Sequence, residues 1–218
     1  MPVNGRYMNA PECDTLWQEI QNLGVPLLFH GTSGGASEDY ASNRFRHNPN
    51  FRTLNHSVAF PMELMPALGA MTTGGVLKHF PDLRVGFLEG NCGWLPWWLN
   101  RLDDQWKKYG GGEAIRLDAL PSDYFKRQCF IGTDVDEELL RVVIDEIGDD
   151  NIVLSTDYPH ADGPFPNGTR TFLELPGVNL ESKRKILWDN CLNLYGLSTK
   201  SLTHIDNLDI PIHKDRMP

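Results

Sequence analysis

Four short apolar runs, each next to sequence of helical period, organise this chain. The first, VPLLFH at residues 25–30, follows a stretch over 13–23 in which Leu16, Ile20 and Leu23 recur at helical spacing. The second, LRVGFLE at 83–89, has helical sequence before it (62–80) and after it (95–109). The third, CFIGT at 129–133, leads into a predicted helix over 136–147 with Leu139, Leu140, Val143, Ile144 and Ile147 on one face. The fourth is NIVLSTD at 151–157, and a last helix spans about 180–195 with Gly196 at its stop position. Two of the runs are nearly continuously apolar, as strands buried on both faces are, and strands separated by helices imply a parallel sheet. Polar residues gather at the strands' C-terminal ends: His30, Glu89, Thr133 and Asp157. In parallel α/β barrels that end carries the chemistry.

Between these elements, residues 31–54 are rich in Gly, Ser, Asn and Arg without a period, and read as a long loop after the first strand. Gly110 to Gly112 mark a further break, and 199–218 form a polar tail after a barrel-type unit over 1–198.

Composition narrows the function classes. A net charge of −9, with no basic patch, argues against nucleic acid or an anionic membrane as partner. No apolar run is long enough to span a membrane, and the first residues carry no secretory pattern. The four cysteines, Cys13, Cys92, Cys129 and Cys191, include no CxxC pair, so reduced thiols and a cytoplasmic location are expected.

The candidate chemistry sits at the strand ends. Asp157, in LSTDYPH, follows a buried run where an ionised carboxylate needs compensation. It is either a metal ligand or base, or a turn residue before Pro159. His30 is a ligand or a hydrogen-bonded structural histidine. Glu89 is part of the same rim or a salt-bridged scaffold residue, since buried glutamates are rarely unpaired. His56 lies at the end of the long loop, and His160, three residues past Asp157, can approach the rim or face solvent. Trp94, Trp97 and Trp98 share helical spacing; core packing is the first reading, a stacking platform for substrate at Trp94 the second. The GTSGG run at 31–35 lacks both phosphate-loop spacings.

Read together, the blocks PLLFHG (26–31), NHSVAFPMELMPAL (55–68), GGVLKHFPDLRVGFLEGNCGWLPWWLNRLD (74–103), PSDYFKRQCFIGT (121–133), GDDNIVLSTDYPHADGPFP (148–166) and KILWDNCLNLYGL (185–197) resemble amidohydrolase family 2, the aminocarboxymuconate-semialdehyde decarboxylase-like proteins. The resemblance implies an eight-stranded (β/α) barrel with a divalent metal, usually zinc, at its C-terminal rim. By motif it makes His30 the fifth-strand metal ligand and Asp157 the eighth-strand ligand, with Asp157 also sharing in the base. Two departures follow. The family's HxH or ExH motif is absent, so the chain supplies strands five to eight of the pattern. Where the decarboxylases carry a histidine after strand six, this chain has Glu89.

The implied function is therefore a metal-dependent hydrolase of small molecules that uses a metal-activated water. The catalytic candidates are Asp157, Glu89 and His56, the metal ligands His30 and Asp157, and the substrate contacts His160 and Trp94. The alternatives are a non-oxidative decarboxylase of the same family and a non-catalytic half-barrel that binds a partner. In each case a homo-oligomer or a second chain is expected to complete the barrel.

Overall fold

A computed structural model of the chain describes residues 7–31, 41–160 and 163–198. Most of the GTSGG run and the whole 199–218 tail lie outside the described residues. After a 3-10 turn at Pro11–Cys13, helix α1 (Asp14–Leu23) buries Trp17, whose indole N–H donates to the Met8 carbonyl at 2.9 Å. Gly24, at φ 64°, closes α1 in the left-handed conformation that glycine adopts without steric cost. Strand β1 (Leu27–His30) follows, then a 3-10 turn (Ala41–Phe45), helix α2 (Phe51–Thr72) and the short α3 (Val76–His79). Strand β2 (Val85–Leu88) leads to α4 (Leu95–Tyr109) and α5 (Pro121–Gln128). Strand β3 (Cys129–Thr133), α6 (Leu140–Ile147), β4 (Ile152–Leu154) and α7 (Gly168–Glu174) come next. The closing segment runs α8 (Leu180–Arg184), a π turn (Lys185–Asp189) and α9 (Asn190–Tyr195).

Among the described residues the sheet has four parallel strands in sequence order. One face carries Leu27, Phe29, Val85, Phe87, Cys129, Ile131 and Ile152 into the main core, against Leu64, Leu68, Met71, Leu95, Phe125 and Leu140. The Phe29 and Phe87 rings, paired in register, stack at 5.4 Å. The other face is thinner. Phe130 and Val153 pack there with Leu194, Leu88 and Cys191, while Leu28 stays 39% exposed.

Several expectations are corrected. The helix predicted over 62–80 starts eleven residues earlier, at Phe51, and holds Pro61 and Pro66 in its interior. His56 therefore lies on a helix and not in a loop. Trp97 is 61% exposed, because the buried face of α4 is centred on Leu95 and Leu99 and a residue two positions along points about 200° away. Trp94 and Trp98 do pack against the core, and their indole N–H groups donate to the Gly90 and Met65 carbonyls at 2.8 and 3.0 Å. Leu139, expected on the buried face of the sixth helix, precedes that helix and is 54% exposed. The final helix is interrupted by the π turn, which lets Asn190 face the sheet.

At the strands' N-terminal ends, polar side chains satisfy backbone carbonyls. The Gln128 amide donates to Phe80 and Leu83 at 2.8 and 3.2 Å, and the Asn151 amide donates to Cys129 at 2.7 Å. Asn190, 2% exposed, donates to Asp149 and Ile152, both at 2.7 Å. Every one of these amides closes a connection between elements. No described helix is long and apolar enough to cross a membrane.

Candidate metal centre

Because the strands are parallel, their C-terminal ends meet on one rim, and α2 lies across it. Two glycines permit the close approach. A Cβ on Gly31 would stand 2.5 Å from the Phe60 Cα, and one on Gly90 would stand 2.5 Å from the Leu64 Cδ1. A cleft of about 610 Å³ opens between α2 and the strand ends. Arg52, His56 and Phe60 of α2 line it on one side; Glu89, Asp134, Asp157 and His160 line it on the other.

The rim backbone is strained where the acids leave the strands. Glu89, Asn91 and Asp157 have φ of 60°, 55° and 52°. Non-glycine residues adopt this left-handed region at a cost, and such outliers cluster at functional sites. The Glu89 carboxylate touches the His30 Nε2, and the His30 Nδ1 faces the Gly31 carbonyl. Asp157 Oδ1 stands 2.7 Å from the His160 Nδ1. Glu89, Asp157 and His160 each present a metal-capable atom within 4.8 Å of the others. Two carboxylates and an imidazole form an N/O donor set that suits a divalent cation of hard or borderline character.

The structure thus brings Glu89, Asp157 and His160 together, with His30 in contact with Glu89 alone of these, and with His56 on the opposite wall, its ring 5.7 Å from that of Phe60. Trp94 does not line this cleft. It borders an adjoining recess of about 430 Å³ with Met62, Met65 and Leu139. The sequence reading also stopped one residue short at the third strand. Thr133 is fully buried, and Asp134 is the group that reaches the cleft. Burial pushes the Asp134 carboxyl upward and Glu137 adds to this, while the Asn91 amide, donating to Asp134 Oδ2 at 2.7 Å, pulls the other way. The signal for Asp134 was available: it is the first charged residue after the CFIGT run.

Glu137 frames the rim from behind. Its carboxylate accepts the backbone N–H of Cys92 at 2.8 Å, that of Gly93 at 2.7 Å, and the Thr133 hydroxyl at 3.0 Å. Cys92 beside it is buried, and burial, reinforced by Glu137, pushes its thiol well above the ordinary range. That thiol is no nucleophile at neutral pH.

Comparison with known proteins places this geometry. The amidohydrolase family profile matches residues 2–197. The 2-amino-3-carboxymuconate-6-semialdehyde decarboxylase of Dictyostelium discoideum is 27% identical over 203 residues, which cover 89% of this chain and 51% of that protein. The chain thus spans about half the length of that curated relative. Among solved structures, 5-carboxyvanillate decarboxylase from Sphingomonas paucimobilis aligns with a TM-score of 0.70 at 23% identity, over 90% of this chain and 57% of the other. A dihydroxybenzoic acid decarboxylase from Polaromonas, solved with manganese and 2-nitroresorcinol bound, aligns at 0.65 and 21% identity over 93% and 57%. At these identities the solved structures speak to the fold.

Proposed function

This chain belongs to the amidohydrolase family, and from that premise we propose that it carries the active rim of a metal-dependent carboxy-lyase acting on a small unsaturated carboxylic acid. The observation that supports this reading is the meeting of Glu89, Asp157 and His160 in one cleft at the strand ends. The relatives' names, decarboxylases of aminocarboxymuconate semialdehyde, carboxyvanillate and dihydroxybenzoate, favour carbon–carbon cleavage over hydrolysis.

His30 and Asp157 are the residues assigned to a divalent cation, and zinc or manganese fits their N and O donors. A cation held there would supply positive charge to stabilise a carboxylate substrate. In the reaction the bond from carbon to carboxylate breaks, CO2 leaves, and a proton takes its place on the carbon without any oxidant. Asp134 is a cleft carboxyl placed to pass that proton, held by the Asn91 amide, with burial shifting it upward from its ordinary value. Arg52 and His56 on α2 face the substrate from the opposite wall, and Glu89 orients His30. His160 steadies Asp157, and Trp94 bounds the recess into which a substituent would extend.

Hydrolysis is the second reading, favoured by Glu89 standing where the resemblance places a decarboxylase histidine. The test offers the manganese- or zinc-supplemented protein 2,6-dihydroxybenzoate, 5-carboxyvanillate and aryl esters in parallel. CO2 release from a carboxylate is expected; ester cleavage without CO2 release would select the hydrolase.

The reading extends to assembly. The four strands would be strands five to eight of an eight-stranded barrel, and a second copy or a second chain would cover the thinner sheet face where Leu28 is exposed. Light scattering at micromolar concentration is expected to give a mass above that of one chain. A monodisperse monomer whose unfolding does not depend on concentration would remove the half-barrel.

A further inference from the structure

The geometry points to a cation site that this chain builds from its own residues: Glu89, Asp157 and His160 as ligands, with His30 braced against Glu89. This inference deepens the proposed rim and rests on it for its location. It assigns two ligands, Glu89 and His160, that the family pattern does not, in a chain without the HxH or ExH pair that would otherwise supply them.

Spacing is the first argument. Ligands on one ion with bonds of ~2.1 Å stand no more than ~4.2 Å apart. The metal-capable atoms of Glu89, Asp157 and His160 already lie within 4.8 Å of one another, so small side-chain rotations close the set.

The second argument is that His30 braces the set. Its Nδ1 faces the Gly31 carbonyl and its Nε2 faces the Glu89 carboxylate, so the imidazole fixes the position of one proposed ligand. Ligating carboxylates are characteristically held by a neighbouring polar group in this way.

Backbone conformation is the third. Glu89 and Asp157 leave their strands at φ of 60° and 52°, and this turn aims both carboxylates across the rim toward each other. Two carboxylates brought this close repel unless positive charge offsets them, and strain of this kind persists only where the surroundings reward it.

The experiment strips the full chain with a chelator and titrates it with cobalt(II), followed by visible absorption, and with zinc and manganese by calorimetry. One equivalent is expected to bind. Glu89→Gln, His160→Gln and Asp157→Asn should each weaken binding by at least ~10–100-fold, the loss seen even for outer-sphere partners of ligands. Each should also change the cobalt spectrum, while Asp104→Asn, a carboxylate on the outer face of α4, leaves both untouched. Circular dichroism of the metal-free variants separates lost ligands from lost folding, and Glu89→Asp, which keeps the donor, should recover part of the affinity. Failure of the wild-type chain to bind a cation at millimolar concentration overturns the inference. So does binding that Glu89→Gln and His160→Gln leave unchanged. CO2 release measured alongside keeps the two readings apart. Decarboxylation with metal affinity indifferent to Glu89 and His160 sinks this inference alone; ligand losses as stated with no carboxylate turned over sink only the carboxy-lyase.

Discussion

The two ends of the sheet use polar residues in opposite ways. At the N-terminal end the side chains include the amides of Gln128, Asn151 and Asn190, whose N–H groups donate to backbone carbonyls. At the C-terminal end they are carboxylates and imidazoles that face one another across a cleft, on a backbone held at positive φ. The first arrangement saturates hydrogen bonds within the protein and holds elements together. The second concentrates like charge and leaves lone pairs pointed at open space. One end is arranged for stability, and the other gives stability up for a ligand.

Substitutions can break this contrast. The largest effect is expected at the N-terminal end. Asn190→Ala orphans the Asp149 and Ile152 carbonyls, at roughly 1–3 kcal/mol for each buried group left unsatisfied. Denaturant melts should show the loss, while cation affinity per folded molecule stays as in the wild type. At the other end the sign reverses. Glu89→Gly relieves the left-handed backbone and should raise stability by about 1 kcal/mol. It also removes a proposed ligand, so cation binding and turnover should fall together in the more stable protein. A destabilised Glu89→Gly would show that this carboxylate is structural.

The smallest effect concerns pH. Burial raises the Asp134 carboxyl above its ordinary 3.8, so the folded state binds this proton more tightly than the unfolded chain does. Its contribution to stability is fully present below pH 3.8 and is lost as pH rises through the folded-state value. Asp134→Asn removes that loss. Relative to the wild type, the variant should gain stability as pH rises through this window and hold the gain above it. Melts across the window check it; parallel profiles would mean that Asp134 titrates as it does in the unfolded chain.

How much of this was legible in sequence depended on whether the signal was local. Strand β3 and helix α4 have their predicted bounds, since CFIGT is a continuous apolar run and the α4 segment is flanked by Gly93 and by Gly110 to Gly112. The other three strands are shorter than the runs that announced them: β1 starts two residues late, and β2 and β4 end before Glu89 and Asp157, which turn away. Those two were legible as charges behind apolar runs. Their backbone conformation was not, since only a glycine would have announced it. The α2 helix was predicted only from residue 62, and only its position across the rim puts His56 in the cleft. Helix α5 carried a readable start, Pro121 with Asp123 accepting the Leu120 N–H at 3.1 Å, but eight residues gave too little period to see. The amphipathic pattern of α4 was read with Trp97 on the wrong side, because three tryptophans at helical spacing do not reveal which of them the neighbouring helices cover.

The Glu137 carboxylate has a mechanical consequence. It grips two amides of the segment after β2 and the hydroxyl that ends β3, so with the Asn91–Asp134 bond it couples the loops carrying Glu89 and Asp134. Neither loop can be reshaped alone. A substitution that opens one drags the other, and the cleft widens or narrows as a unit. For anyone re-engineering this rim toward a bulkier acid, the two loops form one design variable, and Glu137 is the joint that would have to be rebuilt first.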